Sequence, residues 1–444
     1  MSTTTIPAAK EKNGHLILIF ESLIIGCITG LIIAGFRIGI RAVTQFRMNL
    51  YPLIYSKNLF FIHYTLLYML LLCGAGLLIG YIITKHPIAK GSGVAQLEGV
   101  FMNKLALSPW PELPLKFIGG LLCIGLGLSV GREGPSVHLG AYIGDSFTKL
   151  KKSAFLDKVY LIKAGAAAGL SATFNAPFTG VVFAIEDLHR SFSPPLLTCI
   201  MVSSCAADFI VSILFGAGPL FHFNAPQYYP LRHFVWLIGL GVLTAFIGHL
   251  FKQSIYFFQK SYVKLRIPPY LRPVIPFLLT LPAGLWFGYI TGGGDTLIDA
   301  LVHQPLSFSM LITLLCAKMV FTGISAGSGA IGGIFVPLLS CGALTGLLYT
   351  KVLIHCGVLE PVHTASMLLF GMAACFTTVI KTPLSACALI LETSGSFQHL
   401  GGLVLTCLAA YATANCIGSP AHDQVLLAQF LNTAQKDTKG NHHA

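Results

Sequence analysis

The chain has 444 residues, of which 55% are hydrophobic and only 10% are charged, and its mean hydropathy is +0.76. A soluble domain carries about 25% charged residues, so this composition excludes a soluble globular protein and indicates an integral membrane protein. The net charge of +12 is concentrated in short loops and tails. That pattern favours the positive-inside rule of membrane topology over binding to nucleic acid.

Both ends of the chain carry basic residues, Lys10 and Lys12 near the start and Lys436 and Lys439 near the end. This predicts that both termini are cytoplasmic. The first apolar segment is too long for a cleavable signal peptide, and none is expected. The 12 cysteines form no CxxC pair and no metal-ligand motif occurs, so neither a metal nor another cofactor is expected.

Apolar segments long enough to cross a bilayer recur along the chain without the period-2 alternation of strands, which predicts an all-α membrane protein. They lie at 17–36, 61–84, 195–215, 232–250, 274–291 and 399–417. Two spans, near 17–46 and 231–260, are long enough to be tilted. The predicted organisation is a cytoplasmic tail at 1–15, a first membrane repeat at 16–215, a Gly- and Pro-rich linker at 216–230, a second membrane repeat at 231–432 and a disordered cytoplasmic tail at 433–444.

Five further apolar segments are too short to cross a bilayer alone. They lie at 91–101, 135–147, 177–190, 337–350 and 383–393. Four of them begin at or near a proline, namely Pro135, Pro177, Pro337 and Pro383. Proline fits the first turn of a helix, where its missing N–H has no intrahelical acceptor. The remaining free N–H groups inside a membrane need a partner, and an anion is the expected one.

An internal repeat relates the two halves. Two windows between Lys116 and Gly346 align without a gap at an offset of 202 residues, so that Gly131 matches Gly333. A second register, offset by 206 residues, pairs Glu186 with Glu392. Duplicated halves with glycine- and proline-interrupted apolar segments are typical of membrane transporters, and the interruptions mark the binding site.

Three glycine-rich breaks are candidates for that site: Gly91–Val94, Gly131–Pro135 and Gly333–Pro337. Glycine allows close approach, and successive backbone N–H groups form a nest for an anion. Ser92 adds an uncharged hydroxyl donor, which suits an anion that must bind and then leave. The alternative is that these glycines only allow tight helix packing, but packing does not explain two breaks in register within a repeat.

Glu133 is the strongest single candidate for a functional residue. A carboxylate in an apolar, glycine-flanked break has a high free-energy cost inside a membrane, which indicates a function. The structural alternative is an ion pair with the adjacent Arg132. We interpret Glu186, Asp187 and Glu392 as structural carboxylates near helix ends.

The motifs GSGVAQLEG, GREGP and GGIFVP, in this order, resemble the three selectivity-filter motifs of the CLC family of chloride channels and chloride/proton antiporters. The resemblance covers roughly residues 17–432. It implies a bundle of two inverted repeats, with tilted and partial-depth helices that meet at an anion site in the midplane of the bilayer. It also implies a homodimer with one pore in each subunit.

For the central chloride, the resemblance implies a hydrogen bond from the hydroxyl of Ser92 and two from the backbone N–H groups of Ile334 and Phe335. The family has a tyrosine late in the chain, in a Pro-x-Tyr context, and the matching segment Gly418–Asp423 places His422 there. If His422 replaces the tyrosine, its protonation and chloride binding are expected to be linked. The alternative is an exposed histidine on a loop.

For the external side, the resemblance implies that Glu133 is the gating glutamate, which competes with chloride and accepts the exchanged proton. Backbone N–H groups around Arg132, Gly134 and Val336 would line an external chloride site.

One further departure concerns proton transfer. Antiporters of the family usually carry an internal proton-relay glutamate shortly before the linker. The matching segment here places Gly218 there, and no acidic residue occurs between Asp208 and Asp295. Family members without this glutamate occur among channels and antiporters alike. The resemblance therefore implies chloride/proton antiport, with a passive chloride channel as the alternative.

The alternative from another functional class is an enzyme, namely an intramembrane serine protease that uses Ser92 and a histidine. Labelling of Ser92 by a fluorophosphonate probe would distinguish it. The remaining class is a purely structural membrane scaffold, which gives the glycine nests and Glu133 no role. We therefore favour a transporter that is not an enzyme.

Overall fold

The structure, a computed structural model, describes residues 8–55, 61–151, 155–188, 193–221 and 229–440. These residues form an almost entirely helical bundle, which confirms the all-α prediction. Within them, the β-type pairing consists of a single isolated antiparallel bridge between Gly131 and Gly333.

The helices divide between the two halves. The first half contains α1 (Ala8–Tyr55), α2 (Phe61–Lys85), α3 (Val94–Phe101), α4 (Pro109–Gly125), α5 (Glu133–Lys151), α6 (Phe155–Phe174), α7 (Pro177–Glu186) and α8 (Pro194–Phe215). The second half contains α9 (Phe234–Lys264), α10 (Val274–Trp286), α11 (Asp295–His303), α12 (Phe308–Gly327), α13 (Phe335–His355), α14 (Thr364–Ile380), α15 (Pro383–Ser394), α16 (Leu400–Cys416) and α17 (His422–Gly440). In the described part of the chain, eight helices are long and apolar enough to cross a membrane: α1, α2, α8, α9, α12, α13, α14 and α16.

Both predicted tails are partly helical in the structure. Helix α1 has 48 residues and includes residues 8–15 of the predicted tail. Helix α17 continues to Gly440, so residues 433–440 are helical, whereas the sequence predicted disorder. Good helix formers such as Ala, Gln and Lys follow residue 432 without a proline, which favours continuation of the helix. Residues 1–7 and 441–444, and residues 222–228 of the predicted linker, lie outside the described residues.

Two of the five short segments are longer than predicted. The segments at 135–147 and 337–350 belong to α5, with 19 residues, and α13, with 21 residues. Both helices begin two residues before their proline, because proline is tolerated in the first turn. The other three are short as predicted: α3, α7 and α15 have 8, 10 and 12 residues.

Glycines let the same helix pair pack closely in each half. A Cβ atom at Gly165 of α6 would overlap the carbonyl oxygen of Gly140 in α5, and a Cβ at Gly371 of α14 would overlap that of Gly342 in α13. These pairs are related by the offsets of 202 and 206 residues found in the sequence. The backbones of α5 and α6, and of α13 and α14, therefore touch directly, as small residues allow in membrane helices.

Two matched carboxylates, one from each half, cap the helices α7 and α15. Glu392 accepts hydrogen bonds from the backbone N–H and the hydroxyl of Thr179 at the start of α7, both at 2.6 Å. Glu186 accepts the same two bonds from Ser385 at the start of α15, both at 2.7 Å. The structural interpretation of Glu186 and Glu392 is confirmed. At these two proline-led helices, the anion is the protein's own carboxylate.

We expect Glu186→Ala and Glu392→Ala to destabilise the protein by similar amounts, about 1–3 kcal/mol each, because hydrogen bonds to a charged group are lost at a helix end. Thermal unfolding of the purified protein in detergent measures the effect. Glu360→Ala is the control, since its side chain is 68% exposed. Unfolding of either capping variant at the temperature of the control would contradict this account.

Candidate functional site

The two halves meet at the bridge between Gly131 and Gly333. Each residue donates its N–H to the carbonyl oxygen of the other, at 2.7 Å in both directions. The positions are equivalent in the repeat and the pairing is antiparallel, which places a local two-fold axis between them. Helices α5 and α13 each begin two residues after the bridge, so their positive N-terminal ends meet at this axis.

Glu133, the first residue of α5, lies at this meeting point with a fully buried side chain. A Cβ atom at Gly131 would overlap its carboxylate, and one at Gly333 would lie 3.3 Å from Oε2. Neither oxygen makes a hydrogen bond of normal geometry within the described residues, although the backbone N–H groups of Glu133 and Val336 contribute favourable electrostatic contacts. The two glycines thus leave a cradle that the carboxylate occupies.

The start of α13 presents unused donors beside this cradle. Ile334, Phe335 and Val336 are buried, and no acceptor in the described part of the chain hydrogen bonds to the N–H of Ile334 or Phe335. Such first-turn N–H groups have no intrahelical partner. The Phe335 ring packs edge-on against Phe183 and Phe376, with ring centroids 6.0 and 4.9 Å apart, so its side chain is held in the hydrophobic core.

Ser92 lies against the start of α5. A Cβ atom at Gly134 would lie 2.6 Å from the Cβ of Ser92. The Ser92 Oγ accepts a hydrogen bond from the N–H of Val94 at 3.3 Å, which leaves its hydroxyl proton for another acceptor. The loop is held by the buried Lys116, whose Nζ donates to the carbonyl oxygen of Gly91 at 2.8 Å.

The second half repeats this loop at Gly292–Gly294, before α11. Lys318 Nζ donates to the carbonyl oxygens of Ile290 at 3.1 Å and Gly292 at 2.8 Å. The first and third residues of Gly91–Gly93 are glycines with φ of 63° and 96°, and the first and third residues of Gly292–Gly294 have φ of 68° and 125°. Helix α11 is therefore the counterpart of α3. The sequence analysis missed this pair, although a glycine triplet before a short helix was the available signal.

Within the described residues, the ion pair of Arg132 is with Asp295 and not with Glu133, although the guanidinium lies close enough to act electrostatically on the Glu133 carboxylate. Its Nη2 lies 4.0 Å from Oδ1 of Asp295, the first residue of α11. The two side chains are 15% and 40% exposed, so this pair is partly accessible to solvent.

His422 is the first residue of α17 and is buried, not exposed on a loop. Its Nδ1 lies 3.1 Å from the hydroxyl of Tyr256, and the two rings stack. In the described residues no hydrogen bond joins it to Ser92 or to the N–H groups of α13. Burial, followed by the nearby Lys252, lowers the pKa of His422 to about 3. With this pKa the imidazole is neutral between pH 5 and 8.

A cavity of about 610 Å³ lies between the ends of α3 and α7 and the side of α17, and Glu98 and Asp187 are among its lining residues. Asp423 is buried beside it, and burial together with the Glu98 carboxylate raises the pKa of Asp423 to about 7. Gly218, the position matched to the internal glutamate, is exposed. The sequence analysis interpreted Asp187, like the adjacent Glu186, as a structural carboxylate. In the structure, Asp187 lies on the wall of this cavity.

Comparisons with known proteins agree with this geometry. A model of the voltage-gated chloride channel family matches residues 75–415. The H(+)/Cl(-) exchange transporter ClcA of Vibrio parahaemolyticus is 32% identical over 375 residues, which are 81% of this chain and 78% of the relative. The crystal structure of a slow cyanobacterial Cl−/H+ antiporter is 27% identical, with a TM-score of 0.87, and the match covers 94% of this chain and 98% of that one.

A CLC-type fluoride/proton antiporter is 26% identical, with a TM-score of 0.73, over 90% of this chain and 96% of its own. The family model matches well over half of the chain, and the three glycine motifs and the two-fold arrangement of helices lie in the matched region. The chain belongs to the voltage-gated chloride channel family, the CLC family.

Proposed function

We propose that this chain exchanges chloride for protons across a membrane. The observation that carries the proposal is Glu133, a buried carboxylate without a hydrogen bond of normal geometry at two opposed helix N-termini. A group that binds a proton thus lies where an anion is best held. The relatives named as H(+)/Cl(-) exchange transporters support the same function.

The central chloride is bound by uncharged donors. These are the hydroxyl of Ser92 and the N–H groups of Ile334 and Phe335, while the N–H groups around Arg132, Gly134 and Val336 line the external site. Neutral donors bind an anion without trapping it. The Nδ1 of His422 lies within hydrogen-bond distance of the Tyr256 hydroxyl. When Tyr256 is the donor, the neutral imidazole carries its proton on Nε2, which can donate to an anion.

Exchange follows from competition for one cradle. The ionised Glu133 carboxylate occupies the place between Gly131 and Gly333 and excludes chloride. Protonation removes its charge, so the N–H groups no longer hold it and chloride takes its place. Return of the carboxylate to the cradle releases chloride and the proton to opposite sides of the membrane.

The proton reaches the other side of the membrane through the carboxylate-lined cavity. Glu98 and Asp187 line it, and Asp423 beside it titrates near neutral pH. A group with a pKa near the working pH transfers protons efficiently in both directions. These carboxylates replace the internal glutamate that the sequence alignment failed to find at Gly218.

The assembly that accompanies this function is a homodimer with one pore in each subunit, in a bacterial-type inner membrane. The membrane repeats at 16–215 and 231–432 have opposite orientations, and both termini are cytoplasmic. The basic residues near both termini support that orientation. Chloride and protons are the substrates, and no cofactor and no chemical conversion are needed.

We expect Glu133→Gln to carry chloride while losing proton transport, because the amide mimics the protonated side chain and cannot release a proton. Chloride and proton fluxes recorded together in reconstituted vesicles measure both. Wild-type coupling in Glu133→Gln would show that another group carries the proton. Chloride flux without proton movement in the wild type would instead identify a passive channel.

Ser92→Ala is expected to weaken chloride binding by roughly ten- to a hundredfold, because losing a hydrogen bond to an anion costs about 1–3 kcal/mol. Isothermal titration calorimetry with chloride checks this, and Ser309→Ala, at an exposed serine, is the control. Unchanged binding in Ser92→Ala would place the central chloride elsewhere.

We expect Asp187→Asn to slow proton transport at least tenfold more than chloride flux, since the amide keeps the shape of the cavity wall and removes its proton-accepting charge. Glu360→Gln, at an exposed carboxylate, controls for charge. Equal slowing of both fluxes would mean that Asp187 supports the fold and not proton transfer.

A further inference from the structure

We infer that the Asp295 carboxylate lowers the apparent affinity for chloride at one mouth of the pathway, and that it does so by neutralising the charge of Arg132. The inference rests on the proposed transport of chloride. It concerns the mouth formed by the loop Gly292–Gly294, the start of α11 and the Arg132 side chain, which we call the α11 mouth.

The two-fold axis gives the α11 mouth a counterpart at α3. Ser92 packs against Gly134, and at the equivalent place a Cβ atom on Gly293 would lie 3.6 Å from Cγ1 of Val336. In each loop, two backbone carbonyl oxygens accept hydrogen bonds from a buried lysine, Lys116 in the first half and Lys318 in the second. The repeat has therefore placed two similarly built helix N-termini next to the anion cradle, one on either side of the axis.

The two mouths differ in charge. Helix α3 begins with Val94, whereas α11 begins with Asp295. A carboxylate at the first position of a helix is stabilised by the helix dipole. It also places a fixed negative charge where an approaching chloride would otherwise meet a positive helix end, so the α11 mouth repels the ion that the α3 mouth attracts.

Arg132 connects this charge to the gate. Its guanidinium lies 4.0 Å from the Asp295 carboxylate, and the next residue is Glu133. An ion pair at this distance cancels much of the attraction that the arginine would exert on an anion in solution. Because the two side chains are only 15% and 40% exposed, solvent screens the pair less than it would a surface pair.

The other charged residues around Asp295 do not connect its carboxylate to the gate. Arg37, Lys318 and Glu133 are all within electrostatic range of Asp295. Lys318 donates to two backbone carbonyls, and Arg37 donates to a carbonyl and an asparagine side chain, so both are held by the fold. Glu133 is the gate itself. Arg132 is thus the cation through which Asp295 acts.

The test is chloride affinity at each membrane face in Asp295→Asn, which keeps the size of the side chain and removes its charge. We expect about three- to tenfold tighter apparent affinity from the face of the α11 mouth, a gain that shrinks at high ionic strength. Electrical recording in planar bilayers with chloride varied on one side measures it. Asp299→Asn, at an exposed carboxylate one turn along the same helix, is the matched control and should behave as wild type.

A double-mutant cycle with Arg132→Gln, which keeps the backbone N–H, tests the connection to Arg132. The gain from Asp295→Asn should be mostly lost in that background. Wild-type affinity in Asp295→Asn, or an equal gain in Asp299→Asn, would overturn the inference; if Asp295→Asn does not fold, Asp295→Ser takes its place. Absence of chloride transport in the wild type would refute the proposed function instead.

Discussion

The pair of hydrogen bonds between Gly131 and Gly333 is the constraint on which the rest of the structure depends. At 2.7 Å each, they hold the positive ends of α5 and α13 against each other inside an apolar bundle. Free N–H groups in such a place need a negative partner. Only residues without a side chain leave space for one, because a Cβ atom at Gly131 would overlap the carboxylate of Glu133. A permeating anion and a protein carboxylate are then alternatives for one cradle.

Function arises where the two halves differ. Glu186 and Glu392 are matched residues that cap each other's helix through equivalent bonds, and such carboxylates stay in place. The residue 202 positions after Glu133 is Phe335, so the cradle at the axis holds a single carboxylate, and no hydrogen bond of normal geometry fixes it there within the described residues. At an offset of 201 residues, Ser92 matches Gly293 and Val94 matches Asp295. The symmetric frame supplies two similar helix ends, and the asymmetric side chains give them different tasks.

The sequence predicted the repeat, the glycine breaks, the proline-led helices and Glu133, because each depends on local chemistry at fixed spacing. Helix ends were less predictable: proline in the first turn marks a helix without fixing its first residue, as α5 and α13 show. The Arg132–Asp295 pair joins residues far apart in sequence and has no local signal. Glu186 and Asp187 are adjacent in sequence, and only the tertiary structure shows that Glu186 caps a helix whereas Asp187 lies on a cavity wall. The low pKa of His422 depends on burial, which its loop-like sequence context concealed.

The most direct test of the shared cradle is anomalous diffraction from bromide-soaked crystals of the wild type and of a variant with a neutral side chain at Glu133. Bromide follows chloride and is located by its anomalous signal. The account predicts a bromide peak between Gly131 and Gly333 in the neutral variant, and the carboxylate at the same place in the wild type. A variant with an empty cradle and bromide bound only elsewhere would contradict the claim that carboxylate and anion compete for one position.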